Sequence, residues 1–260
     1  MTKIFGERMS DAMEEVDTPE KHIERIDGWI RALTSEAHFQ DERVHLLKPL
    51  VLDADVQAAM KAKLDKTRGV MLWNHLAPLL GQDYIRDLSR LFLDKGGKTG
   101  SLTNIWKKLQ VPGMREHYRD SYSRMFDELQ AAPIEGISEA TVEAWRQRDR
   151  DANAAQFDEK WAAISQAMAD LDVDPLALKI KTFRDKHHAH MEMQPMGMEP
   201  KPFDIGSLGL TFSGVFGFGQ RCQQLLADLG VLLTHTHWEP DQFSDISAES
   251  GKALWMTLAD

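Results

Sequence analysis

Apolar residues recur along this chain at steps of three and four, not two. "PEKHIERIDGWIRALTSEAHF" sets Ile23, Ile26, Ile30 and Leu33 on one stripe, which predicts an amphipathic helix. Thr18 followed by Pro19 supplies its start signal, because a missing amide donor is harmless in a first turn. "DADVQAAMKAKLDKTRGVMLWNHLAPLLGQDYIRDLSRLFL" continues the helical period, and Pro78 within it predicts a kink or a division. "DKGGKTG", residues 94–100, is a loop by composition. "SLTNIWKKL" then opens a helix with Ser101 as its cap. "MREHYRDSYSRMFDELQ" predicts another helix, and a long amphipathic one begins near Ser138 or Thr141. A turn at Asp174-Pro175 leads into "DPLALKIKTFRDKHHAHMEM". The three prolines of "QPMGMEPKPFD" predict an irregular connection. "GLTFSGVFGFGQRCQQLLADLGVLLTHTHW" is the last long apolar helix, followed by a polar tail. No alternating strand pattern and no internal repeat interrupts this series. The prediction is an all-α bundle forming a single domain over residues 1–260.

Composition narrows the function. The chain is 42% hydrophobic, enough for a sizeable core, and carries a net charge of −10. An acidic protein does not coat nucleic acid through its overall field, but a local basic cluster can still hold phosphates. Cys222 is the only cysteine, which excludes an internal disulfide framework and a cysteine-rich zinc site. No apolar run approaches the length of a signal peptide or a membrane span. A cytoplasmic protein without membrane contact is expected.

Most of the titratable chemistry collects in "KTFRDKHHAH", residues 181–190. Three readings compete for it: a solvated helix face, a metal site, or a phosphate-handling site. On one continuous helix, Arg184, His187 and His188 share a face. His190, six residues from Arg184, sits about 240° around the axis and about 9 Å along it. Arg184 and His190 therefore meet one substrate only if it wraps the helix, the helix ends nearby, or a second subunit contributes. A metal site would draw on His187, His190 and Glu192, with His235 and His237 of "HTH" as further ligands. Elsewhere, Arg90 and Asp94 stand four apart and can pair on a helix, or can buttress the motif helix, while Lys95 and Lys98 offer contacts to phosphates. Gly214, Gly217 and Gly219 run in the wrong order for a dinucleotide fingerprint and point to close helix packing or a loop into the last helix. "HTHW" falls at a helix end, where histidine meets the negative pole of the dipole. The seven tryptophans mostly recur at helical spacing and belong in the core.

"FRDKHHAHME", an arginine, an aspartate, then a histidine a few residues on, resembles the signature of HEPN domains. Upstream, "LSRLFLDKGGKTGSLTNIWKKL" resembles the abortive-infection AbiU-type HEPN family. Together the two segments span roughly residues 56–193, the expected HEPN-like core, with additional N- and C-terminal helices on either side. The resemblance implies an up-down helical bundle that pairs as a homodimer. It also implies a metal-independent endoribonuclease in a toxin or phage-defence role, with RNA as substrate, no cofactor, and an antitoxin or regulatory protein as a further partner. Carried over by position, Arg184 and His190 are the motif pair and Asp185 the polar residue between them, with His188 as the rival histidine. Lys181, Lys186, His187 and His188 then stand as substrate contacts. The chemistry fits: histidine moves protons near neutral pH, and arginine offers a fixed fork of donors to a phosphate. The competing expectation is a non-catalytic helical module that binds a protein, a nucleotide or RNA.

Overall fold

The computed structural model describes residues 19–128, 136–189, 192–194, 201–240 and 242–259, apart from the side chains of residues 188 and 189. Among these residues the architecture is all-helical, as the periodicity predicts. Helix α1 (Pro19–Leu52) is the spine. Helices α2 (Ala54–Leu64), α3 (Val70–Leu88), α4 (Leu102–Leu109), α8 (Phe212–Thr234) and α9 (Ser244–Ala259) all pack against it. Helix α6 (Glu139–Val173) forms a second long rod, flanked by α5 (Met114–Ser123), α7 (Pro175–Phe183) and α8. Arg115 and Arg119 of α5 converge on Asp158 of α6 and hold its carboxyl below the usual carboxylate range.

The main core joins Ile26 and Ile30 of α1, Leu88, Phe92, Ile105, Tyr118, Phe157, Ile180 and Phe218, all buried. A smaller cluster gathers Leu50, Val56, Met60 and Trp255 where α1, α2, α3 and α9 meet, and Trp73 packs edge-on to Trp255 at 5.9 Å. Of the α8 glycines, Gly219 serves close packing, since a Cβ there would overlap the Tyr84 hydroxyl of α3, whereas a Cβ at Gly217 would meet open space.

Three elements differ from the sequence expectation. Residues 53–93 do not run as one helix. The break falls at 65–69, where Lys66 takes a left-handed φ of 63°, and α3 continues through Pro78. Proline 78 withholds a donor only from the carbonyl of Asn74, an exposed residue that water can serve. The polar tail is also structured, as helix α9. Trp255 is buried there and its Nε1 donates to the Leu46 carbonyl at 2.8 Å. Gly251 packs against the His45 carbonyl, the acceptor that Pro49 cannot serve, and a Cβ there would overlap it. Finally, Arg90 and Asp94 do not pair. Residues Ser89–Leu93 form a π-helical turn that leaves Asp94 in extended backbone. Arg90 instead reaches Glu36 at 2.9 Å and Asp87 at 3.5 Å.

The local start signals hold elsewhere. Ser101 and Ser138 cap α4 and α6 by accepting from Asn104 N and Thr141 N. Asp174 caps α7, with Pro175 in its first turn. Thr18, read as the cap of α1, lies outside the described residues.

Candidate active site

Helix α7 places the 181–190 segment. Its residues Ala177, Ile180 and Phe183 are buried, Leu178, Lys179 and Asp185 are exposed, and Lys181, Thr182 and Arg184 are half-buried. After Phe183 the helix widens into a second π-helical turn, Arg184–Ala189. Such turns make i→i+5 bonds, so the face shared by Arg184, His187 and His188 on a regular α-helix is not the arrangement formed.

The turn separates its side chains into distinct roles. Arg184 Nη2 lies 2.7 Å from Asp185 Oδ1, and its Nε donates to the same oxygen. This pair is solvent-facing: Arg184 is 33% exposed and Asp185 56%. Lys186 turns away, pairing with Glu192 at 2.8 Å and lying 4.8 Å over the Phe203 ring. There it pins a short antiparallel bridge between Met193 and Pro202. The His187 ring packs against Phe183 with centroids 5.2 Å apart. The His188 side chain and the whole of His190 lie outside the described residues.

Lys181 stands three residues before Arg184, at neighbouring positions of one helical face. Partial burial holds its ammonium below the usual lysine range, and the cations of Lys95 and Arg184 push the same way. Asp172 and Asp185 oppose that shift. Lys95 enters from the loop after the first π-turn and pairs with Asp172, at the end of α6, at 2.8 Å. The structure thus brings Lys181, Arg184 and Asp185 together with Lys95 and Asp172. Asp172 carries no sequence signal for this role, because it sits on another helix and arrives through packing alone.

The remaining candidates separate from this site. His235 closes α8 in a left-handed conformation (φ 55°) with its ring edge-on to Tyr122 at 5.9 Å. Partial burial holds it below its ordinary pKa of 6.5, with Asp27 opposing. Among the described residues no group of three histidine, cysteine, aspartate or glutamate side chains converges to hold a metal. An apolar cavity of about 230 Å³ lies behind Phe183, walled by Ile85, Phe212 and Val215, and no titratable side chain lines it. Among the described residues, no helix is long and apolar enough to cross a membrane.

Comparison with known proteins gives one family match. The family model described as HEPN_AbiU2, AbiU2, covers residues 23–254, extending well to either side of the 56–193 span. No curated protein and no solved structure matches the chain.

Proposed function

From the premise that this chain belongs to the AbiU2 family of HEPN proteins, whose description points to abortive infection, we propose that it is a metal-independent endoribonuclease acting through the 184–190 segment. The observation that carries this reading is Arg184, half-exposed on a π-turn with Asp185 bracing its guanidinium. In the proposed reaction the RNA's own 2′-hydroxyl attacks the adjacent phosphorus. The O2′–P bond forms and the P–O5′ bond breaks, leaving a 2′,3′-cyclic phosphate and a 5′-hydroxyl. Arg184 holds the non-bridging oxygens as charge builds on the phosphorane. His190, assigned by the motif, takes the 2′-proton or returns one to the leaving oxygen. Pairing of two chains is part of the reading, since a second copy can bring an imidazole to the arginine. Met71 and Leu72 of α3, 72% and 77% exposed, offer an apolar face on a helix that touches the 184–189 turn.

Induced expression tests the reading. Wild-type chain is expected to arrest growth and fragment total RNA, with chelator leaving cleavage by the purified protein intact. Arg184→Ala combined with His190→Ala is expected to abolish both effects. Arrest that persists in the double variant would place the chemistry elsewhere. Intact RNA with wild-type protein in the purified assay would favour a non-catalytic binding module.

A further inference from the structure

The turn that presents Arg184 is flanked by charge gathered from two other segments. Helix α7 packs against the π-turn Ser89–Leu93, so the loop that follows it delivers Lys95 beside Lys181. Three cations therefore meet: Lys95 from that loop, and Lys181 and Arg184, three residues apart where α7 passes into its π-turn. Like charges gathered this way repel unless anions sit between them. Two do: Asp172, 2.8 Å from Lys95, and Asp185, 2.7 Å from Arg184. Both pairs face solvent. Lys95 is 57% exposed and Asp172 51%, and such a pair contributes less than about 1 kcal/mol to folding. The carboxylates are thus weakly held counter-ions. RNA phosphates, spaced along a backbone, can replace both of them while keeping the cations neutralised.

We infer that Lys95 and Lys181 extend the Arg184 site into a track for the RNA backbone beside the scissile phosphate, and that Asp172 is a built-in competitor that holds Lys95 until a phosphate displaces it. The inference rests on the RNA reading above. It differs from a purely structural role for the Lys95–Asp172 pair in the sign of one effect. If the pair only ties the loop to α6, removing either partner disturbs the site in the same direction. If Asp172 competes with phosphate, removing it frees a cation for RNA, whereas removing Lys95 takes that cation away.

The test is binding of a short, fluorescently labelled single-stranded RNA with methylated 2′-hydroxyls, which cannot be cleaved. Anisotropy is measured with the full chain across a range of salt, with thermal unfolding run alongside to verify that each variant is folded. Asp172→Asn is expected to tighten binding roughly threefold to tenfold, and Lys95→Ala to weaken it by a similar factor. Lys95→Ala is also expected to lower the slope of log affinity against log salt by about 0.7, the value for one phosphate contact on a single strand. Wild-type binding that is lost in Arg184→Ala, with Lys95→Ala and Asp172→Asn both neutral or both weakening, would overturn the track and leave the Arg184 reading standing. Failure of wild type to bind RNA at low salt would overturn both.

Discussion

Two π-helical turns, Ser89–Leu93 and Arg184–Ala189, sit at the ends of helices that pack together, and each carries an arginine. They use the same backbone device for opposite ends. The first turn is sewn into the protein. Ser89, Leu91, Phe92 and Leu93 are buried, and the Asp94 carbonyl behind them accepts from both Ser101 Oγ and Thr103 Oγ1. Asn104, buried, donates to the Thr99 carbonyl and closes the loop. In the second turn Arg184 pairs with its neighbour Asp185, while Lys186 reaches Glu192 and the Phe203 ring. π-turns are common at functional sites, yet here the turn alone does not mark the site. What marks it is an arginine whose carboxylate partner is only its own sequence neighbour, where Arg90 is tied to Glu36 of α1 and Asp87 of α3.

That contrast breaks first in activity. Arg184→Ala is expected to lower RNA cleavage about 100-fold or more, the scale of a lost donor to developing charge. Arg90→Ala, in the sewn turn, is expected to leave the cleavage rate near wild type, because Arg90 is committed to Glu36 and Asp87. Equal losses in the two variants, in a single-turnover assay, would erase the distinction. Asp185→Asn is expected to fall between them, about tenfold down, since Arg184 keeps its charge but loses its brace. Stability should show the reverse order. Asn104→Ala strips the Thr99 carbonyl of its donor inside the loop and is expected to cost about 1–3 kcal/mol in urea unfolding. Arg184→Ala removes a solvent-facing pair and is expected to cost less than about 1 kcal/mol.

The same two turns explain what the sequence could and could not reveal. The cap at Ser101 and the start of α6 at Ser138 or Thr141 were legible because a cap is a local event, one side chain serving an amide two or three residues on. The charge cluster at 181–187 was legible as composition, and Arg184 with Asp185 as a motif. The π-turns were not, because a widened turn is imposed by packing and leaves no period to read. That is why Arg90 and Asp94, four apart, do not meet: the four-residue rule presumes a regular α-helix. Helix α9 was hidden for a related reason. Gly251 and Trp255 are its buried residues, too few to set a stripe. Pro78 misled in the other direction, since a proline beside an exposed carbonyl breaks little.

The smallest expected effect joins the two regions. Burial holds Lys181 below the ordinary lysine pKa of 10.5, and Lys95 from the loop after the first turn and Arg184 from the second push the same way. An unfolded chain regains that ordinary value. Between the depressed folded pKa and 10.5, the unfolded state therefore binds more protons than the folded one, so stability rises with pH across that window. Lys95→Ala removes one of the cations that depress Lys181 and releases Asp172 to act on it. The Lys181 pKa is then expected to move up toward 10.5, and the alkaline slope of stability to flatten. A titration of the Lys181 ε-methylene signal by NMR, compared between wild type and Lys95→Ala, reads this directly. An unchanged Lys181 titration would mean that the two turns, although packed on one helix, do not share a charge cluster, and the comparison would reduce to two independent turns.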